Sequence, residues 1–131
     1  MLKLCPMMPF RKHGPEAERF AERRRRENEA PKLSGEVPAL RSLQLLIEER
    51  TPVGRVKHIR RILVDRAPAL FLLPCGDPRC VDGDHDLTSV VMGALLAGQT
   101  TFQGTHHCAG LVGAVECGRD VQFDGTAEYL S

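Results

Sequence analysis

Four cysteines stand in two pairs in the second half of the chain, Cys75 and Cys80 in LPCGDPRCVDGDHD and Cys108 and Cys117 in HHCAGLVGAVECGRD. The spacing is C-x4-C, then 27 residues, then C-x8-C. Two thiolates from each of two loops can surround one zinc ion tetrahedrally, each sulfur about 2.3 Å from the metal. Structural zinc sites usually separate paired cysteines by about two to four residues, so the first pair sits at the edge of that pattern and the second outside it. Two other readings stay open, buried small hydrophobes and a disulfide or redox pair. His85 follows Cys80 by five residues and is an alternative fourth ligand to Cys117, while His106 and His107 adjoin Cys108. Each of these histidines is as readily a hydrogen-bonded structural residue. A different use of the loop is a thiol-redox or metal-dependent enzyme working through Cys75, Cys80 and His85, because a helix N-terminus stabilises a thiolate.

Sharper motifs fail on single residues. Asp82, Asp84 and Asp86 match the start of a calcium-binding loop, but Leu87 stands where that loop needs glycine and Gly93 where it needs glutamate. Pro74-Cys75 followed by Cys80 has the outline of half a zinc deaminase site. The upstream candidate, His58-Ile59-Arg60, lacks the glutamate that would move the proton. No phosphate-binding glycine loop and no G-x-S-x-G elbow occurs.

The elements that must position these thiols follow from hydrophobic periodicity. In LRSLQLLIEER, Leu43, Leu45 and Ile47 alternate, which predicts a strand, and HIRRILV and ALFLLPC predict one or two more. Leu87, Val90, Val91, Ala94 and Leu95 recur at helical spacing, with Asp86 placed to cap the helix and Gly98 to end it. TTFQGTH is strand-like. VQFDGTAEY puts Val121, Phe123, Ala127 and Tyr129 on one face and polar residues on the other, so Val121, Phe123 and Tyr129 should face the helix that carries Val91 and Leu95. The order predicts an α+β fold: an antiparallel sheet of four to five strands with one helix on one face.

Ahead of this lies PEAERFAERRRRENEA, rich in helix formers but without an apolar face, and then PKLSGEVP, which reads as a linker. Residues 1–38 are therefore expected to be a charged flexible or helical arm, with residues 1–35 outside the core, and residues 39–131 the cysteine-containing domain. Charge divides the same way. Residues 1–66 hold 16 Lys and Arg against 9 Asp and Glu, and residues 67–131 hold 2 against 8. No apolar run reaches the length of a membrane span, and the broken opening MLKLCPMMPFRKHG does not suit a signal peptide, so a cytoplasmic protein with reduced or metal-bound thiols is expected.

The strings CGDPRC, GDHDLT, Cys108 and CGR at 117–119 together resemble the core of a group of small uncharacterised bacterial proteins with the pattern C-x-D-P-x-C, G-x-H-D-L-T, C, C-x-R. The resemblance covers about residues 39–131 and implies that the four cysteines and the His85-Asp86 pair act as one unit, with no activity attached.

The expected function is a metal-stapled binding module rather than an enzyme, with zinc as the cofactor. Arg23, Arg24, Arg25 and Arg26, with Arg55, Lys57, Arg60 and Arg61, are the natural contacts to an acidic partner such as nucleic-acid phosphate. Five glutamates dilute the arm, which over residues 11–30 carries seven cations against five anions. An aromatic content of 5% argues against a base-stacking platform.

Overall fold

Strict alternation in two segments far apart in the chain makes the sheet. Strand β1 (Leu40–Thr51) turns Leu43, Leu45 and Ile47 inward and pairs antiparallel with β2 (Gly54–Ile62) on one side. On its other side β1 pairs with the last strand, Asp120–Tyr129, here β8, which turns Val121, Phe123 and Ala127 inward. Strand β5 (Thr101–His107) completes an antiparallel sheet of order β2-β1-β8-β5. The computed structural model describes residues 15–130 apart from 52, 78 and 82.

Before the sheet come helix α1 (Pro15–Glu29) and a short helical turn α2 (Leu33–Glu36). Between β2 and β5 lie β3 (Leu72–Pro74), β4 (Asp84–Asp86) and helix α3 (Thr88–Leu96), and between β5 and β8 the small hairpin β6 (Leu111–Val112) and β7 (Val115–Glu116). The fold is α+β, as the periodicity predicts. Helix α3 places Val91 and Leu95 in one buried cluster with Val121 and Phe123, and Tyr129 packs at its margin with its hydroxyl donating to the Gln99 carbonyl. β3 does not join the main sheet but forms a two-stranded ribbon with β4.

The start of α3 differs by one residue from the expectation. Asp86 is still paired with Leu72 as the last residue of β4, so Leu87, buried in the core, takes the cap position and Thr88 opens the helix. The Asp86 carboxylate nonetheless accepts the Thr88 N–H at 3.0 Å, and the Thr88 hydroxyl accepts the Phe71 N–H. The other end is as predicted: Gly98 takes φ +72°, its N–H bonds to the Leu95 carbonyl and that of Gln99 to Ala94.

The inner face of β5 against β8 is a reciprocal exchange of size. Phe102 lies opposite Gly125 and Phe123 opposite Gly104, each ring covering the glycine across from it, so a Cβ on either glycine would collide with the ring.

The expected exclusion of residues 1–35 from the core fails at Leu33. That side chain is fully buried, with Val37 beside it in the same cluster, because its segment is held down by backbone bonds to 67–69. Leu33 N–H donates to the Ala67 carbonyl and Ala69 N–H to that of Pro31. Leu33→Ala is expected to cost about 2–5 kcal/mol by urea unfolding, where a true linker position would change by less than about 0.5.

Candidate metal centre

Cys75 follows β3 directly, and a turn brings Cys80 back toward it. The Cys80 N–H donates to the Asp77 carbonyl at 3.0 Å. The Asp77 carboxylate accepts from the Arg79 backbone N–H at 2.9 Å and from its guanidinium at 3.1 Å. These Arg79 donors hold the Asp77 carboxyl at about 2, well below the usual range. Gly76 donates its N–H to the Glu49 carboxylate of β1, which ties the turn to the sheet. Pro78, the other half of the turn the sequence suggests, lies outside the described residues, as do Asp82 and Cys5.

The second loop leaves β5 at Cys108, whose N–H donates to the Arg119 carbonyl, and returns through the β6–β7 hairpin to Cys117, whose N–H donates to the Gly110 carbonyl. Gly113 makes the hairpin turn with φ +64°. The two loops are clasped by paired backbone bonds between Val81 and Leu111, at 2.8 and 3.0 Å.

The result is a cluster of four free thiols whose sulfurs all lie within 4.8 Å of one another. Two hydrogen-bonded approaches run between the loops, Cys75 to Cys117 at 3.5 Å and Cys80 to Cys108 at 3.7 Å. Sulfurs about 2.3 Å from a shared tetrahedral centre stand about 3.8 Å apart, so these two pairs already sit near that spacing. Cys75, Cys80 and Cys108 are buried and Cys117 is half-buried. Such a set can hold a metal ion.

Burial, with the neighbouring thiols, pushes Cys75 far up and Cys80 up to about 12. Burial also pulls Cys117 upward, yet the Arg119 N–H and the three other thiols outweigh it and leave Cys117 below the ordinary thiol range. Cys117 therefore gives up its proton more readily than Cys75 or Cys80.

Two glycines were not singled out by the sequence reading and are required here. Gly83 and Gly110 face each other across the cluster. A Cβ on Gly83 would meet the Cys80 and Cys108 sulfurs, and one on Gly110 would meet the Cys80 sulfur and the Gly83 backbone. Their only signal in the sequence is position, each two or three residues from a cysteine. Gly110→Ala is expected to lower metal retention at least about tenfold in a chelator competition, because the clash falls on backbone as well as sulfur and cannot be relieved by a rotamer change. Retention equal to wild type would show that the two loops have room to move apart.

None of the three candidate histidines belongs to the cluster. His85 is fully buried, its Nδ1 3.0 Å from the Nδ1 of His106, with the rings edge to face. Burial, and secondarily His106, lowers His85 to about 4, so it is neutral at pH 7 and one ring donates to the other. His107 pairs with Asp120. The hydrogen-bond partners of Cys75 and Cys80 are cysteines and the Val81 carbonyl, not an imidazole.

Three of the arm's four consecutive arginines lie near acids of this chain. Arg23 approaches Asp84, Arg25 bonds to Glu22 and Glu29, and Arg26 reaches Asp86. The cations of β2 stand on a strand whose residues are exposed or half-buried. Among the described residues no helix is long and apolar enough to cross a membrane. Comparison with protein-family models, curated proteins and solved structures finds no match.

Proposed function

We propose that Cys75, Cys80, Cys108 and Cys117 hold one zinc ion as a structural staple, and that the domain so held is a binding module in a reducing compartment such as the cytoplasm. The observation that carries this is the convergence of four mostly buried sulfurs from two loops within 4.8 Å. Four thiolates around one tetrahedral centre suit zinc or iron, and a closed set leaves no position for a substrate, which favours a structural role. The alternative thiol enzyme using Cys75, Cys80 and His85 lacks its base, since His85 is bonded to His106, and both thiols are pushed away from ionisation.

Elemental analysis of protein purified under reducing conditions tests the reading. One zinc per chain is expected. The four cluster thiols should react only after chelation. Absence of metal with those four thiols reactive overturns the staple, and one iron would replace zinc.

The partner surface that fits an acidic ligand is β2 rather than the arm. Arg55, Lys57 and Arg61 lie on the outer face of the sheet, with Arg60 on the other side of the strand. Cations without aromatic neighbours suit phosphate contacts rather than base stacking, so binding to duplex nucleic acid should fall steeply with salt and show little sequence preference.

A further inference from the structure

Between α1 and the turn that carries Cys75 lies a cavity of about 400 Å³, lined by Ala17, Arg19, Phe20, Arg23, Pro74 and Cys75. Arg19 and Arg23 are turned into the body of the protein, with side chains 10% and 13% exposed. They meet one carboxylate there. Asp84 Oδ1 lies 3.8 Å from Arg19 Nε and 3.7 Å from Arg23 Nη1, too far in both cases for a direct hydrogen bond. Among the described residues Arg19 Nε and Nη1 and Asp84 Oδ1 have no hydrogen-bond partner. The contrast within the same helix is plain, since Arg25 bonds to Glu22 at 2.6 Å and to Glu29 at 3.0 Å.

Among the described residues two largely buried arginine side chains thus face one carboxylate, and two nitrogens of the Arg19 guanidinium are buried without a partner, an arrangement that an added anion would balance. The remaining wall is apolar, from Ala17, Phe20 and Pro74. A cavity of this size, mostly apolar with a few convergent polar groups, is what a small-molecule site requires.

We infer that this cavity binds a small organic oxyanion, a carboxylate or phosphate carried on a flat apolar body. The oxyanion lies against the guanidiniums of Arg19 and Arg23, which present the planar fork that such groups match. The apolar body lies against Phe20 and Pro74. Helix α1 has no apolar face of its own, so the ligand would join it to the cysteine-bearing turn. The inference does not depend on what the four thiols hold.

The test is titration of the full chain, as purified under reducing conditions, with benzoate and phenyl phosphate, using benzyl alcohol as the neutral control. Calorimetry and amide NMR shifts are the readouts. One-to-one saturable binding of at least one anion is expected, with the Ala17, Phe20 and Cys75 amides shifting most and a preference of about tenfold or more over the alcohol. Arg19→Gln and Arg23→Gln should each weaken binding by about tenfold, the cost of a charge-assisted hydrogen bond. Ala17→Leu should block it by filling the space while leaving the charges intact. The stronger of the two anions identifies the head group. The inference is overturned if neither anion saturates, if the alcohol binds as well, or if the shifts fall on β2 in the wild-type chain, a readout that needs no variant to fold.

Discussion

On the proposed zinc staple, Cys75→Ser and Cys108→Ser are each expected to release the metal and remove on the order of 10 kcal/mol of stabilisation, the binding free energy of a structural zinc at neutral pH, whereas Cys5→Ser should do neither. Small domains total about 5–15 kcal/mol, so a loss of that size is not absorbed. The structure says where it falls first. Cys75, Cys80 and Cys108 form a buried cluster separate from the one beneath the sheet, with Val112 and Cys117 packed against it. Amide exchange should therefore show residues 75–83 and 108–119 losing protection before the strands β1 and β8 do. Acid should reproduce the effect. The metal needs thiolates, protons compete for them, and Cys75 and Cys80 hold their protons more firmly than ordinary thiols when no metal is bound, so retention is lost as pH falls and kept as it rises. A serine variant that keeps its metal and its protection would remove the staple from the account.

Phe123→Ala is expected to cost about 3–5 kcal/mol, read as a drop in the urea midpoint at constant slope. The ring is 1% exposed, lies between Ile47 of β1 and Gly104 of β5 in register, and shares its cluster with Val91 and Leu95 of α3. Gly104 has no side chain with which to fill the space the ring leaves, so the cavity cannot collapse easily. A loss under about 1 kcal/mol would mean that the ring is not at the centre of the core.

The strongest sequence signals were those whose physics is local. Alternation from Val121 to Tyr129 set the buried face of β8, and the helical spacing from Leu87 to Leu95 set α3, because each pattern records which side meets water. The burial of Leu33 is harder to read, since Leu33 and Val37 stand in a segment otherwise of polar residues, glycine and proline and their burial goes with backbone bonds to a segment 34 residues later. The cysteines suggested one unit by their pairing alone. Their convergence depends on the clasp between Val81 and Leu111 and on room left by Gly83 and Gly110, none of which has a spacing rule. The arginine run at 23–26 pointed outward by composition. Three of its four members instead meet acids of this chain, two of those acids being Asp84 and Asp86, which only the tertiary fold brings near.

Strand β2 ends the sheet with a nine-residue border to which no further strand is paired among the described residues. Such a border is a template for side-by-side growth of copies into fibres. Here the approach of a second β2 would set Arg55, Lys57, Arg60 and Arg61 against the same four cations, so the strand carries its own deterrent to self-pairing. That deterrent is electrostatic and screened within about 10 Å at 0.1 M salt, so the protein's tolerance of crowding with itself should decline as salt is raised. Val56 and Ile59, exposed on the same strand, would then be free to bring copies together.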